Sequence, residues 1–333
     1  MFVLNKYLKF KWIALILSTF CLLTFSSCKT EDVIIEDDKS LIYSKYKKEV
    51  NVFCCADDGN ASPTCTMIAS LLSNIPRDQR LTVHVVHFED EAMSEENISK
   101  LSSLKNTIRD FNLAFIPFDR KKIENFKNEF WHKAILVKLF AADIFENLDE
   151  IIWIDDDVVV VGNVAEVYDF DMKDKYLAAV DLSYYYTNYS NEKCDYWLTA
   201  GFGFYNLKNM RRDGIKDVLL RSCEYYTKNS EEIKKERRIV GGIEEYALTD
   251  GIPREKVFLL PHEYSIMSFL GLKGTYFEDI SENIKNGKII HFAGLDKPWK
   301  NHKIKGIHPF FYSLWREYFK MTPYFDENKK FGS

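Results

Sequence analysis

Along the chain, short apolar runs alternate with longer stretches whose apolar residues recur every three or four positions, the pattern of strands followed by amphipathic helices. Glu49 to Ala56 reads as a buried strand, and Asp57-Asp58-Gly59-Asn60 as a polar turn after it. Ser62-Pro63 then offers an N-cap and first-turn pair for a helix carrying Met67, Ile68, Leu71 and Leu72 on one face. Leu81 to Phe88 predicts a second strand and Phe111 to Phe118 a third. Between them Ser94-Glu95-Glu96-Asn97 starts a helix with Ile98, Leu101 and Leu104 turned inward. A longer helix is expected over about Glu129 to Phe145, with Ile135, Leu136, Leu139, Phe140 and Ala142 on its apolar face and Lys138 pointing elsewhere. It leads into the strand Glu150-Ile151-Ile152-Trp153-Ile154. Further strands are expected over Tyr176 to Val180, ending at Asp181, and over Trp197 to Leu207, with the polar-aromatic loop Tyr184 to Tyr189 between them. This βαβαβ alternation predicts an α/β fold with a mostly parallel central sheet flanked by helices. Ser230 to Arg238 is a charge run that reads as an exposed helix or insert without chemistry, and the aromatic stretch Pro309 to Phe325 as a docking helix.

With 46% hydrophobic residues in 333, the chain can bury one large core, and the absence of a repeat or a second composition break suggests a single domain over 49–333. The net charge of -5 comes without a basic stripe, which argues against a nucleic-acid partner. Residues 1–28 stand apart. Lys6, Lys9 and Lys11 precede an apolar run from Trp12 to Phe25 that ends in Ser26-Ser27-Cys28, a secretory-type leader too short for a comfortable membrane span. Small residues before a Cys resemble a bacterial lipoprotein processing site, although Phe25 stands where Leu is usual. The expectation is a membrane-associated chain, lipid-anchored through Cys28 and tethered by the acidic stretch 29–48; the alternative is an uncleaved N-terminal anchor with the domain in the cytoplasm. Five cysteines remain outside the leader, Cys54, Cys55, Cys65, Cys194 and Cys223, an odd number that argues against a complete disulfide framework.

Candidate chemistry begins where the strand at Ile154 runs into three consecutive carboxylates, Asp155-Asp156-Asp157, before four valines. Ligands of open α/β sheets bind beyond the carboxyl ends of strands, and carboxylates two apart can turn toward one magnesium or manganese ion. Three adjacent carboxylates repel one another and raise their pKa values unless a cation or strong donors are present. The ordinary alternative, an exposed acidic turn, fits poorly between two apolar strands. Far downstream, another short apolar strand ends in His291, followed by Gly294, Lys297 and Pro298-Trp299. Imidazole suits manganese beside carboxylates, the glycine lets backbone approach a ligand, and the lysine supplies charge for phosphate.

From about residue 49 to 305 the chain resembles the family 8 glycosyltransferases, retaining enzymes that include bacterial lipopolysaccharide galactosyl- and glucosyltransferases and glycogenin. Ala56-Asp57-Asp58 resembles the family's first-strand motif, Asp155-Asp156-Asp157 its D-x-D motif, and His291 to Trp299 its closing H-x-x-G-x-x-K-P-W. The resemblance implies the nucleotide-diphospho-sugar transferase fold of the GT-A type and a UDP-hexose donor. It places manganese or magnesium on Asp155, Asp157 and His291, uracil at Asp57 and diphosphate at Lys297, with Ala56, Asp58, Asp156 and Gly294 in the same donor-binding motifs. Lys138 falls where the family carries a basic donor-binding residue, and Asp181 where it carries an acid near the sugar. The family's Asn-Ala-Gly strand appears as Thr199-Ala200-Gly201 and its Asp-Gln-Asp element as Glu244-Glu245-Tyr246. Retention leaves two routes, front-face attack by a glycan acceptor or a covalent step near Glu244 or Glu245, and either glutamate could instead orient sugar hydroxyls. A carbohydrate-binding protein on a degenerate transferase fold and a UDP-sugar hydrolase stand as alternatives.

Overall fold

The computed structural model describes residues 48–126, 133–185, 194–237, 241–269, 284–300 and 306–326. The leader and nearly all of the tether fall outside them, as does the loop from Tyr186 onward. Lys48, expected at the end of the tether, is instead the first residue of β1 (Lys48–Cys55), paired with Gln79.

β1 runs parallel to β2 (Gln79–Phe88) and to β4 (Glu150–Ile154), and β2 runs parallel to β3 (Asn112–Phe118). A second, short sheet takes in β5 (Val158–Val160). Past β4 the main sheet continues through β6 (Leu177–Val180) and β7 (Phe202–Asn206), where β7 is antiparallel to both β4 and β6, and ends at β8 (Val257–Leu260), parallel to β6. The order is β3-β2-β1-β4-β7-β6-β8, a seven-stranded, mostly parallel sheet with one reversed strand. The short sheet is β5-β10-β9, in which β9 (Ile266–Met267) is parallel and β5 antiparallel to β10 (Ile289–His291).

α1 (Ala61–Asn74) connects β1 to β2 and buries the expected Met67, Ile68, Leu71 and Leu72. It starts earlier than Ser62-Pro63 suggests. Asp57 Oδ1 accepts from Gly59 N at 2.8 Å and Asn60 N at 3.2 Å, winding a single 3-10 turn that runs straight into α1, so Ser62 lies inside the helix. α2 (Glu95–Thr107) is capped by Ser94, as expected, and buries Leu101 and Leu104.

The helix expected over Glu129 to Phe145 is a 3-10 helix at Lys133–Phe140 leading into one α turn, α3 (Ala141–Ile144); its expected residues 129–132 lie outside the described residues. Its apolar face holds, since Leu136, Leu139, Phe140 and Ala142 are buried, and such a face suits either winding. The strand expected from Trp197 starts only at Phe202, because Leu198 is diverted into a bridge with Asp181. After α4 (Leu207–Arg212), the charge run at Ser230 is no insert. It closes α5 (Ile215–Arg237), a 23-residue helix broken at Asn229, and Ile233 within it is buried. α6 (Ile243–Gly251) carries Glu244 and Glu245, and α7 (Pro309–Phe319) docks through Phe311, Trp315 and Phe319. Among the described residues no helix is long and apolar enough to cross a membrane, and Cys54, Cys55, Cys65, Cys194 and Cys223 are free thiols.

Candidate active site

β1 and β4 are parallel, and two reversals at β7 leave β6 parallel to them, so Cys55, Ile154 and Val180 end at one edge of the sheet. Asp155-Asp156-Asp157 spans the step from β4 into β5, where the main sheet hands the chain to the small one. The antiparallel register of β5 and β10 pairs Val158 with His291. It thereby sets the imidazole beside Asp157, with Nε2 3.3 Å from Oδ1. Backbone bonds fix the two ends of the triplet: Asp155 N donates to Gly201 O and Phe292 N to Asp157 O, each at 2.9 Å. One ligand atom from each of Asp155, Asp157 and His291 lies within 4.8 Å of the others. Gly201 makes room for this cluster, because a Cβ there would sit 2.4 Å from His291 Cε1.

Two lysines balance the carboxylates. Lys297, mostly covered, donates to Asp157 Oδ2 at 2.5 Å and to the Phe292 carbonyl at 2.7 Å. Burial alone would raise the Asp157 carboxyl, but the Lys297 ammonium and then the His291 imidazole hold it far below the usual carboxylate range. Burial alone would likewise lower His291, and the Asp157 carboxylate outweighs it and moves the imidazole upward. Asp156 lacks such a donor: burial, then the Asp157 and Asp155 charges, push it well above the ordinary value. The mutual repulsion expected of the triplet is therefore felt by its middle member. Lys138 is fully buried, 0% exposed. It donates to Asp155 Oδ1 at 3.1 Å and to the Ala200 carbonyl at 2.7 Å, and lies 4.4 Å from the centre of the Trp153 ring. It thus supports Asp155 from beneath and does not present its charge at the surface.

The remaining expected residues divide. Ala56 is buried, its N–H donating to Val86 O at 3.0 Å, and Asp57 spends Oδ1 on the turn that follows it. Asp58 turns to α2, accepting from Ser94 N and Asn97 Nδ2, both at 2.8 Å, which holds its carboxyl below the usual range. Asp181 Oδ1 accepts from Ser183 N and Trp197 N, and Oδ2 lies 3.7 Å from Arg254 Nη2. Gly294 has φ +94 with open space where a side chain would stand, a backbone that other residues adopt only with strain. Glu244 is buried with Oε2 unpartnered among the described residues. Burial pushes its carboxyl up to about 8, opposed by Lys138 and reinforced by Glu245. Glu245 Oε2 accepts from Gly242 N at 3.2 Å, and burial raises this carboxyl too. Of the departures from the family motifs, Thr199 is buried and accepts from Gly201 N, while Tyr246 packs between Trp197 and Tyr226. Both side chains belong to the core. Trp153, the Ala200 carbonyl, Arg254 and Asn97 escaped sequence reading, since only the folded chain brings them to the site.

The residues fit a divalent ion. Asp156 Oδ2 and His291 Nδ1 are buried polar atoms without a hydrogen-bond partner among the described residues, and such atoms are rare unless water or an ion completes them. Two carboxylates and an imidazole are a donor set that manganese or magnesium accepts.

Residues 51–303 match the family model described as Glycosyl transferase family 8. Among solved structures, the galactosyltransferase LgtC in complex with donor and acceptor sugar analogs aligns with a TM-score of 0.64 at 17% identity, over 84% of this chain and 98% of that one. The apo WbbM bifunctional glycosyltransferase aligns at 0.61 and 19%, over 84% and 51%. At these identities the likeness is one of fold. The lipopolysaccharide 1,2-glucosyltransferase of Escherichia coli is 23% identical over 279 residues, 80% of this chain and 78% of that protein. The probable galacturonosyltransferase 14 of Arabidopsis thaliana is 23% identical over 215 residues, 58% of this chain and 37% of that protein, so this chain spans little more than a third of the plant relative.

Proposed function

Because this chain belongs to glycosyl transferase family 8, we propose that it is a metal-dependent, retaining hexosyltransferase that moves a sugar from a UDP-hexose to a glycan acceptor. The observation that carries the reading is the cluster of Asp155, Asp157 and His291 at the sheet's carboxyl edge with Lys297 beside it. Asp155, Asp157 and His291 would hold manganese or magnesium, which when bound neutralises charge on the diphosphate as the sugar-phosphate bond breaks. Lys297 has three N–H groups and gives two to Asp157 and Phe292, leaving the third for a phosphate oxygen of the leaving UDP. Lys138 keeps Asp155 in place, and the turn after Asp57 takes the uracil side. A Glu244 carboxyl that keeps its proton near neutral pH suits a hydrogen bond to a sugar hydroxyl better than nucleophilic attack, which needs the carboxylate. That favours front-face attack by the acceptor. The E. coli relative, by name a lipopolysaccharide 1,2-glucosyltransferase, supports a surface glycan as the acceptor class, and the leader would hold the domain at a membrane through Cys28 or an uncleaved anchor.

The test is UDP release from a panel of UDP-hexoses, with manganese or EDTA and with or without a glycan acceptor. Acceptor-dependent, EDTA-sensitive release that Lys297→Met lowers by at least about tenfold supports the reading. Equal release without acceptor would make the protein a hydrolase, and no release with any donor would contradict it.

A further inference from the structure

The C-terminal segment has no place in the chemistry above, yet it reaches both walls of the proposed donor site. On the phosphate side, the Trp315 ring of α7 lies 6.2 Å from that of Trp299, two residues after Lys297. Trp315 stacks in turn on Phe319 at 4.8 Å. On the nucleoside side, the turn after α7 brings Tyr324 to the start of α2. There Tyr324 Oη donates to Asn97 Oδ1 at 2.7 Å, Asn97 Nδ2 donates to Asp58 Oδ1 at 2.8 Å, and the same oxygen accepts from Ser94 N. The relay has one direction. A carboxylate needs a donor and the phenol supplies one, so the Asn97 amide faces only one way. The Lys100 ammonium, 4.9 Å from the centre of the Tyr324 ring, helps to seat the phenol.

We propose that Tyr324 is a positioning residue for the nucleotide-sugar donor: through Asn97 it holds Asp58, and with it the Asp57–Asn60 turn, in the donor-binding conformation. Asp58 is bonded to Asp57, whose carboxylate ties Gly59 N and Asn60 N, so freedom at Asp58 loosens that turn. The core beneath does not need the phenol oxygen, because the segment is anchored separately by Phe319 against Phe325 and by Asn74 Nδ2 donating to Tyr318 Oη at 2.9 Å. The proposal rests on the reading that this turn receives the uridine end of the donor.

Two readouts on Tyr324→Phe in the full-length chain separate the proposal from that reading. Hydrogen exchange of the Gly59 and Asn60 amides is expected to quicken without any ligand. The Kd for UDP with manganese is expected to weaken about three- to tenfold, the share of one partly buried hydrogen bond, with kcat unchanged and Tm lowered by at most about 4 °C. Asn97→Ala should show the same two effects, and the double variant no further loss. Unchanged exchange in Tyr324→Phe, or faster exchange with unaltered UDP affinity, would overturn the relay; so would additive losses in the double variant. If the wild type itself does not bind UDP, the functional reading fails and the exchange data alone decide the relay.

Discussion

A methyl group at position 201 would press into the His291 ring, whose Nε2 is held 3.3 Å from Asp157 Oδ1. Gly201→Ala is expected to cost about 1 to 3 kcal/mol by overpacking and to lower kcat/KM by more than that loss explains, since the ring it displaces is a proposed ligand. Urea unfolding beside donor kinetics would check both. Lys138→Met keeps the buried stem and removes the charge, leaving Asp155 Oδ1 one donor short. Stability should fall by about 2 kcal/mol and metal affinity by about tenfold or more, seen in manganese titrations. Glu244 makes a prediction in pH. Its folded carboxyl is raised from 4.5 to about 8, so its contribution is full below pH 4.5 and is lost as pH rises through 8. Glu244→Gln should therefore gain Tm relative to the wild type at pH 9 and gain little at pH 5, by calorimetry.

At the scale of elements, the strands were legible because each is a short apolar run closed by a polar turn: β1, β2, β3 and β4 fall within two residues of their expected bounds. The Asp triplet and the His291 to Trp299 stretch were legible as motifs. Their meeting was not, because it depends on the β5–β10 register that sets Val158 opposite His291, and nothing local to either strand encodes that pairing. The 3-10 winding of Lys133–Phe140 was hidden for a different reason, as its apolar face satisfies both helix types. The burial of Lys138 was hidden with it, since a lysine set apart from the apolar face is ordinarily exposed, whereas this one is sheltered by Trp153, Asp155 and the Ala200 carbonyl. The Tyr324–Asn97–Asp58 relay joins three distant segments through single atoms and leaves no periodic trace. β2 adds a second pH effect. Burial lowers the His84 imidazole from 6.5 to about 4, so the unfolded chain takes up a proton that the folded chain refuses. Stability is lost as pH falls from 6.5 to 4, and His84→Leu should flatten that part of the Tm profile.

For the molecule as a whole, the proposed donor site is a line across the carboxyl edge of the sheet. The turn after β1 stands at the uridine end, Asp155 to Asp157 follow at β4 with His291 reaching in from the small sheet, Gly201 precedes β7, and Asp181 closes β6. Three strand spacings separate β1 from β6, about 14 Å, room for a nucleotide sugar lying along the edge. The α7 segment touches this line at the uridine end through Tyr324 and Asn97 and beside Lys297 through Trp315 and Trp299, and the acidic surplus at its centre is offset by Lys138 and Lys297. On the proposed reading, such an arrangement would bind UDP only when a cation offsets the charge that the diphosphate adds.

Calorimetric titration of UDP into the full-length protein, with manganese and with EDTA, beside the Asp155→Asn, Asp157→Asn double variant, addresses that claim directly. Manganese-dependent binding that the double variant loses is the predicted result; binding of equal strength in EDTA or in the variant, or none to the wild type at millimolar UDP, would contradict it.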